Sequence, residues 1–269
     1  MKYAICNELF GSLPFQESCA LAAKYGFGGI EIAPFTLSQN PQEFGSAKRT
    51  ELKKILADYN LEFVGLHWLL IAPQGLHLTT TDIGTRKKSW DLMKFLIEFC
   101  AEMGGGVMVL GSGNKRNAVG IPVETALEYL KQGFAQLAPF AAEANTQILL
   151  EALSARKTNV VTSMQAAADI IREIDHPAIS GIFDFHNCIE EKLAWPELIE
   201  NFKDVIQHVH FNEIDGGYPG SGDSDFVPAF KALKRINYSG WVSLEVFDQT
   251  ESPEKILRET NQVINILEN

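Results

Sequence analysis

Short aliphatic and β-branched runs recur along the chain, separated by longer stretches whose apolar positions fall three and four residues apart. The runs are Tyr3 to Cys6, Gly29 to Ala33, Phe63 to Trp68, Val107 to Leu110, Ile148 to Leu153, Gly181 to Phe185, Ile206 to Phe211 and Trp241 to Phe247. Each predicts a strand, and the intervening spacing predicts a helix, as in Trp90, Met93, Leu96, Ile97 and Cys100, or Leu127, Leu130, Phe134 and Leu137. Thr162-Ser163-Met164-Gln165 reads as a capping box, and Ser252-Pro253 as a helix N-cap followed by a first-turn proline. Pro139 falls inside a helical pattern and predicts a kink or break there.

Strands begin roughly 25 to 45 residues apart, as repeated βα units do. Eight such units predict an α/β fold, the (β/α)8 TIM barrel, as one domain over residues 1–269. An open doubly wound sheet is the competing architecture. It calls for a glycine-rich phosphate loop after the first strand, whereas Cys6-Asn7-Glu8-Leu9-Phe10-Gly11 has a single glycine.

Composition narrows the partners. With 269 residues, 46% apolar and 21% charged, the chain is neither disordered nor of low complexity. The formal charge is −11, the wrong sign for gathering phosphate backbones, so nucleic acid is not an expected partner. Polar residues interrupt the N-terminus before a signal-peptide core develops, and no apolar stretch approaches the ~20 residues of a membrane span. A soluble, cytoplasmic protein with no membrane partner is expected. Cysteines 6, 19, 100 and 188 lack metal-motif spacing and are read as packing residues.

In a barrel the chemistry sits where strands end at their C-termini, so polar residues that terminate apolar runs are the informative ones. The fifth run ends at Glu151, the sixth at Asp184, the seventh at His210 and the eighth at Glu245. Three carboxylates facing one mouth need a counter-charge. The strands themselves carry no lysine or arginine, which predicts one bound divalent metal ion. Oxygens with a single nitrogen suit Mn2+, Mg2+ or Co2+, with Zn2+ also compatible.

The most distinctive stretch is Tyr218-Pro219-Gly220-Ser221-Gly222-Asp223-Ser224-Asp225-Phe226, followed by Ala232-Leu233, Tyr238, Gly240-Trp241 and Leu244-Glu245-Val246. It resembles the PGxGxxDF loop, helix and GW-to-Glu strand of the xylose isomerase-like TIM barrel family, whose members include ketose 3-epimerases, hydroxypyruvate isomerases, dehydratases and endonuclease IV. The resemblance covers nearly the whole chain. It implies metal ligation by Glu151, Asp184, His210 and Glu245, and acid and base roles for Glu151 and Glu245 on opposite faces of a sugar or polyol substrate. A homodimer is a further expectation from the family. The ketose epimerases also carry a Glu six residues after the first ligand and an Arg six after the metal His; Lys157 and Gly216 stand there in this chain. Their Asp and following His are separated by two residues, but Asp184 and His186 by one, which predicts a displaced His186.

The expected chemistry is proton abstraction α to a carbonyl through an enediolate stabilised by the cation, leading to isomerisation or epimerisation. Substrate contacts are expected from His67, His186, Glu213 and Trp68. Phe35 is a further apolar wall, Glu31 a further partner for a sugar hydroxyl, and His208 a packed imidazole one layer below His210. Lys115, Arg116, Arg156 and Lys157 form either an anion-receiving cluster or, as favoured here, a solvated loop face. A dehydratase of a keto-polyol or dehydroshikimate-like acid begins with the same proton abstraction and is the main alternative. An endonuclease IV-like DNA repair enzyme is more remote, since Leu110-Gly111 stands where the fourth strand would deliver a histidine ligand. A non-catalytic sugar-binding barrel would bind its ligand independently of metal.

Overall fold

The computed structural model describes residues 1–247 and 250–268. Eight parallel strands close into a barrel in sequence order: β1 (Lys2–Cys6), β2 (Gly29–Ile32), β3 (Glu62–Leu66), β4 (Gly106–Leu110), β5 (Thr146–Leu150), β6 (Ile179–Asp184), β7 (Ile206–Phe211) and β8 (Trp241–Leu244). Closure pairs β1 with β8, Lys2 opposite Trp241 and Ile5 opposite Leu244, so the open-sheet alternative is excluded. The helices are α1 (Phe15–Lys24), α2 (Pro34–Leu37), α3 (Ser46–Asp58), α4 (Ile83–Met103), α5 (Val123–Glu143), α6 (Met164–Ile174), α7 (Trp195–Asn201), α8 (Val227–Arg235) and α9 (Pro253–Glu268). None of the described helices is long and apolar enough to cross a membrane.

Side chains alternate across each strand, and this alternation divides the core. Ile30, Ile32, Leu66, Met108, Leu110, Ile148, Leu150, Phe183, Val209, Phe211 and Leu244 pack with the helices in one large apolar cluster. The positions between them turn inward. Lower in the barrel these are apolar on one side, where Val109, Leu149 and Ile182 form a separate small cluster. At the C-terminal rim the same inward parity delivers Glu31, Glu151, Asp184, His210 and Glu245.

Local signals act much as their chemistry dictates. Ser163 caps α6 by accepting the N–H of Ala166, so the cap lies one residue beyond Thr162. Ser252 Oγ accepts from Lys255 N–H at the start of α9. Pro139 does not break its helix: α5 runs unbroken from Val123 to Glu143. The proline and Ala135, whose carbonyl loses its partner, both face solvent, and the opposite face stays pinned by Leu130, Phe134, Leu137, Ala138 and Ala141. The four cysteines are buried and unpaired.

A carboxylate and histidine cluster at the barrel mouth

The four strand-end residues meet. One ligand-type atom from each of Glu151, Asp184, His210 and Glu245 lies within 4.8 Å of the others, and all four side chains are buried. Glu151, His210 and Glu245 line a cavity of about 420 Å³ whose walls include His67, Trp68, Gly111, Leu153, Lys157, His186, Asn187 and Phe247.

Each carboxylate is oriented by a neutral donor. Asn187 Nδ2 donates to Glu151 Oε1 (2.9 Å) and Asp184 Oδ2 (3.0 Å), and its backbone N–H donates to Asp184 Oδ1 (3.0 Å). Trp68 Nε1 donates to Glu245 Oε1 (2.8 Å). Gly111 makes room for the first of these groups, because a β-carbon there would stand 1.7 Å from Glu151 Oε2. Trp68 adopts φ 51°, a left-handed backbone that is costly for a bulky residue and typical of functional sites.

A second polar layer lies beneath the first. Glu31 Oε2 accepts from His208 Nε2 (2.7 Å) and Oε1 from His210 Nε2 (3.1 Å), with His67 Nδ1 at 3.6 Å. The expectation of a sugar hydroxyl at Glu31 is not met, because its carboxylate is fully buried and committed to histidines. His208 is the packed imidazole its position implied. With His210 Nε2–H turned down to Glu31, its Nδ1 faces upward, 3.0 Å from Glu245 Oε2 and 3.7 Å from Asp184 Oδ2. Neither His210 Nδ1 nor Glu245 Oε2 makes a directional hydrogen bond.

Two buried atoms that converge without bonding each other fit a cation between them. A carboxylate behind the distal imidazole nitrogen is the arrangement that fixes a ligating histidine. Proton affinities agree with this. Burial pushes the Glu151 carboxyl up, and the charges of Asp184 and Glu245 push it further. Burial opposes a charged His210, but Glu245 and Glu31 outweigh it and raise the imidazole well above its usual range. Burial would also raise Asp184, yet the His210 imidazole beside it, helped by the Asn187 backbone N–H, holds it below the usual carboxylate range. In the metal-free cluster the surroundings thus favour the protonated forms of Glu151 and His210.

The remaining expected residues divide. His67 lines the cavity, but its Nε2 is held by Glu8 Oε2 at 2.6 Å. His186 also lines it: its Nδ1 donates to the Ile214 carbonyl (2.9 Å) and its ring packs on Phe247 at 4.9 Å. Trp68 forms an aromatic wall with Phe35 and Phe247, each 6.1 Å away. Glu213 is not brought to the cavity. Its carboxylate is buried under the 218–226 loop, where it accepts N–H bonds from Gly220 (2.9 Å) and Ser224 (3.2 Å).

The solvated-face reading of the basic cluster fails at Arg116, which is fully buried. It donates to the carbonyls of Leu110 (2.7 Å) and Glu151 (2.6 Å), and burial lowers its pKa to about 10. Arg116 and Asn187 are the supporting residues that strand patterning missed. For Asn187 the signal was the irregular spacing after Asp184.

A closed (β/α)8 barrel with a carboxylate and histidine cluster on its C-terminal rim defines an enzyme-type site. The chain belongs to the xylose isomerase-like TIM barrel family, which it matches over residues 19–267. Among curated proteins it is 28% identical over 270 residues to a 3-dehydro-D-guloside 4-epimerase of Escherichia coli, covering 97% of each chain. It is 27% identical over 236 residues to a probable ketose 3-epimerase of Synechocystis, covering 84% of this chain and 76% of the relative. The crystal structure of an Escherichia coli 3-keto-D-glucoside 4-epimerase superposes with a TM-score of 0.86 at 20% identity, covering 99% of both chains.

Proposed function

We propose that the protein is a divalent-metal-dependent epimerase of a keto sugar or keto-glycoside. The observation that carries this reading is the convergence of Glu151, Asp184, His210 and Glu245, with His210 Nδ1 and Glu245 Oε2 aimed at one point. The epimerase relatives support it from sequence.

Glu151, Asp184, His210 and Glu245 would hold the cation. When bound, it offsets negative charge as that charge develops on the two substrate oxygens. Glu151 and Glu245 come from strands three places apart in the closed barrel, so they reach a bound sugar from different sides. Glu245 accepts the proton from the carbon next to the carbonyl, breaking the C–H bond. The electron pair left behind passes to the carbonyl oxygen. Glu151 donates a proton to the same carbon on the other face and inverts the centre; in the reverse direction the roles exchange. His67, His186 and Trp68 line the space left for the sugar, with Trp68 both shaping the wall and fixing Glu245.

The test incubates Mn2+-loaded protein with ketoses and 3-keto-hexosides in D2O and follows deuterium entry by NMR. The reading expects exchange at one carbon, formation of the epimer and loss of both on chelation. Glu151→Gln and Glu245→Gln should each lower turnover about 100-fold or more. Retained exchange in both variants, or an enone product absorbing in the ultraviolet, would overturn the assignment.

A further inference from the structure

We infer that Asn187 is a positioning residue for the cation centre, and that Lys157 sets the orientation of its amide. This rests on the metal-centre part of the reading above, although its principal test does not require the sugar reaction.

Asn187 lies in the 3-10 turn His186–Glu190 that follows β6 and is about nine-tenths buried. Its three bonds to carboxylate oxygens join Asp184 on β6 to Glu151, directly after the neighbouring β5. Without a donor between them these two groups would repel, since both are buried and each accepts hydrogen bonds when ionised. The amide supplies two hydrogens at one nitrogen, one for each carboxylate, and spreads no further negative charge into the site.

An amide has two faces, and the wrong one would place Oδ1 against the carboxylates. Lys157 prevents this. Its ammonium donates to Asn187 Oδ1 at 3.2 Å while lying 4.5 Å over the Phe247 ring, and no carboxylate among the described residues pairs with it. Lysine carries only donors, so it selects the oxygen end of the amide and turns Nδ2 toward Glu151 and Asp184. Lys157 is exposed and lines the cavity, so its effect on the centre passes through Asn187.

The committed amide also defines how Asn187 acts. Its oxygen is taken by Lys157 and both hydrogens by carboxylates, leaving no donor for a substrate. It stands three residues after Asp184, close enough for its own backbone N–H to hold the same carboxylate as its side chain.

The test measures Mn2+ binding by isothermal titration calorimetry in wild type, Asn187→Ala, Asn187→Leu and Lys157→Met. Circular dichroism and thermal melting of the metal-free proteins report on folding. Loss of an outer partner of metal ligands typically costs 10–100-fold in affinity, so the Kd should rise about that much in both Asn187 variants. For Lys157→Met the rise should be about threefold, since one hydrogen bond to a charged group is exchanged for an unselected amide. With an active substrate, kcat should fall in Asn187→Ala while KM stays within about twofold, the pattern of a residue that does not touch the sugar. A wild-type Mn2+ affinity in a folded Asn187→Ala or Asn187→Leu protein would overturn the proposal. An unchanged Kd in Lys157→Met would overturn the part given to the lysine. If the Asn187 variants lose Mn2+ affinity but no protein exchanges a sugar proton, the clamp stands and the epimerase reading falls.

Discussion

Glu151 and Glu245 occupy the same rim of the same barrel and are held in different ways. Glu151 is fixed on three sides: Arg116 holds its backbone carbonyl, Asn187 holds Oε1, and the bare backbone of Gly111 receives Oε2. Glu245 has one orienting donor, the indole of Trp68, and its other oxygen looks at His210. Two residues later the chain reaches Phe247, which is 37% exposed. The enclosed carboxylate is the one whose proton affinity burial and like charge raise. Identical side chains on one rim therefore stand in unlike surroundings, one enclosed and one open.

The comparison breaks most severely at the layer both glutamates stand on. Glu31→Gln removes the carboxylate that fixes His208 and His210, and should lower the unfolding free energy of metal-free protein at pH 7 by about 3–5 kcal/mol in urea titrations. Burial would raise Glu31, but His208 and His210 outweigh it and hold the carboxylate well below its usual range. The stability this contributes is complete above the ordinary glutamate pKa of about 4.3 and is lost as pH falls toward the folded value. Acid should therefore weaken wild type more steeply than the variant. A variant within about 1 kcal/mol of wild type would remove Glu31 as the common base.

Gly111→Ala attacks the enclosed side alone. Its methyl group displaces the Glu151 carboxylate, and turnover should fall about 100-fold with the far-ultraviolet spectrum unchanged. Trp68→Phe attacks the open side, keeping an aromatic wall but deleting the N–H on Glu245. One hydrogen bond to a charged group predicts about a tenfold fall in kcat. Equal losses in the two variants would erase the distinction between enclosed and open supports. Phe247→Leu should be mildest, raising KM about threefold through lost apolar contact while kcat stays within about twofold.

The barrel was legible because its strands write the inward parity as polar residues closing apolar runs. Glu151, Asp184, His210 and Glu245 could be found this way, since each depends only on its own strand. Arg116 could not. A charged residue in a polar loop looks solvated, and its burial follows from the loop folding back between the ends of β4 and β5 to meet two backbone carbonyls. Asn187 depends on the register of β6 against β5, which no single run records. Glu213 misled because it lies three residues after His210; the turn in which Gly216 N–H bonds the Glu213 carbonyl redirects it under the next loop. The break expected at Pro139 is absent because the proline lies on the solvent face, which a sequence does not reveal.

The vacancy at Gly111 restricts how such a barrel can diverge. Any side chain at that position competes with the fifth-strand glutamate for one volume. The fifth-strand carboxylate keeps its present place only while the fourth strand ends in bare backbone.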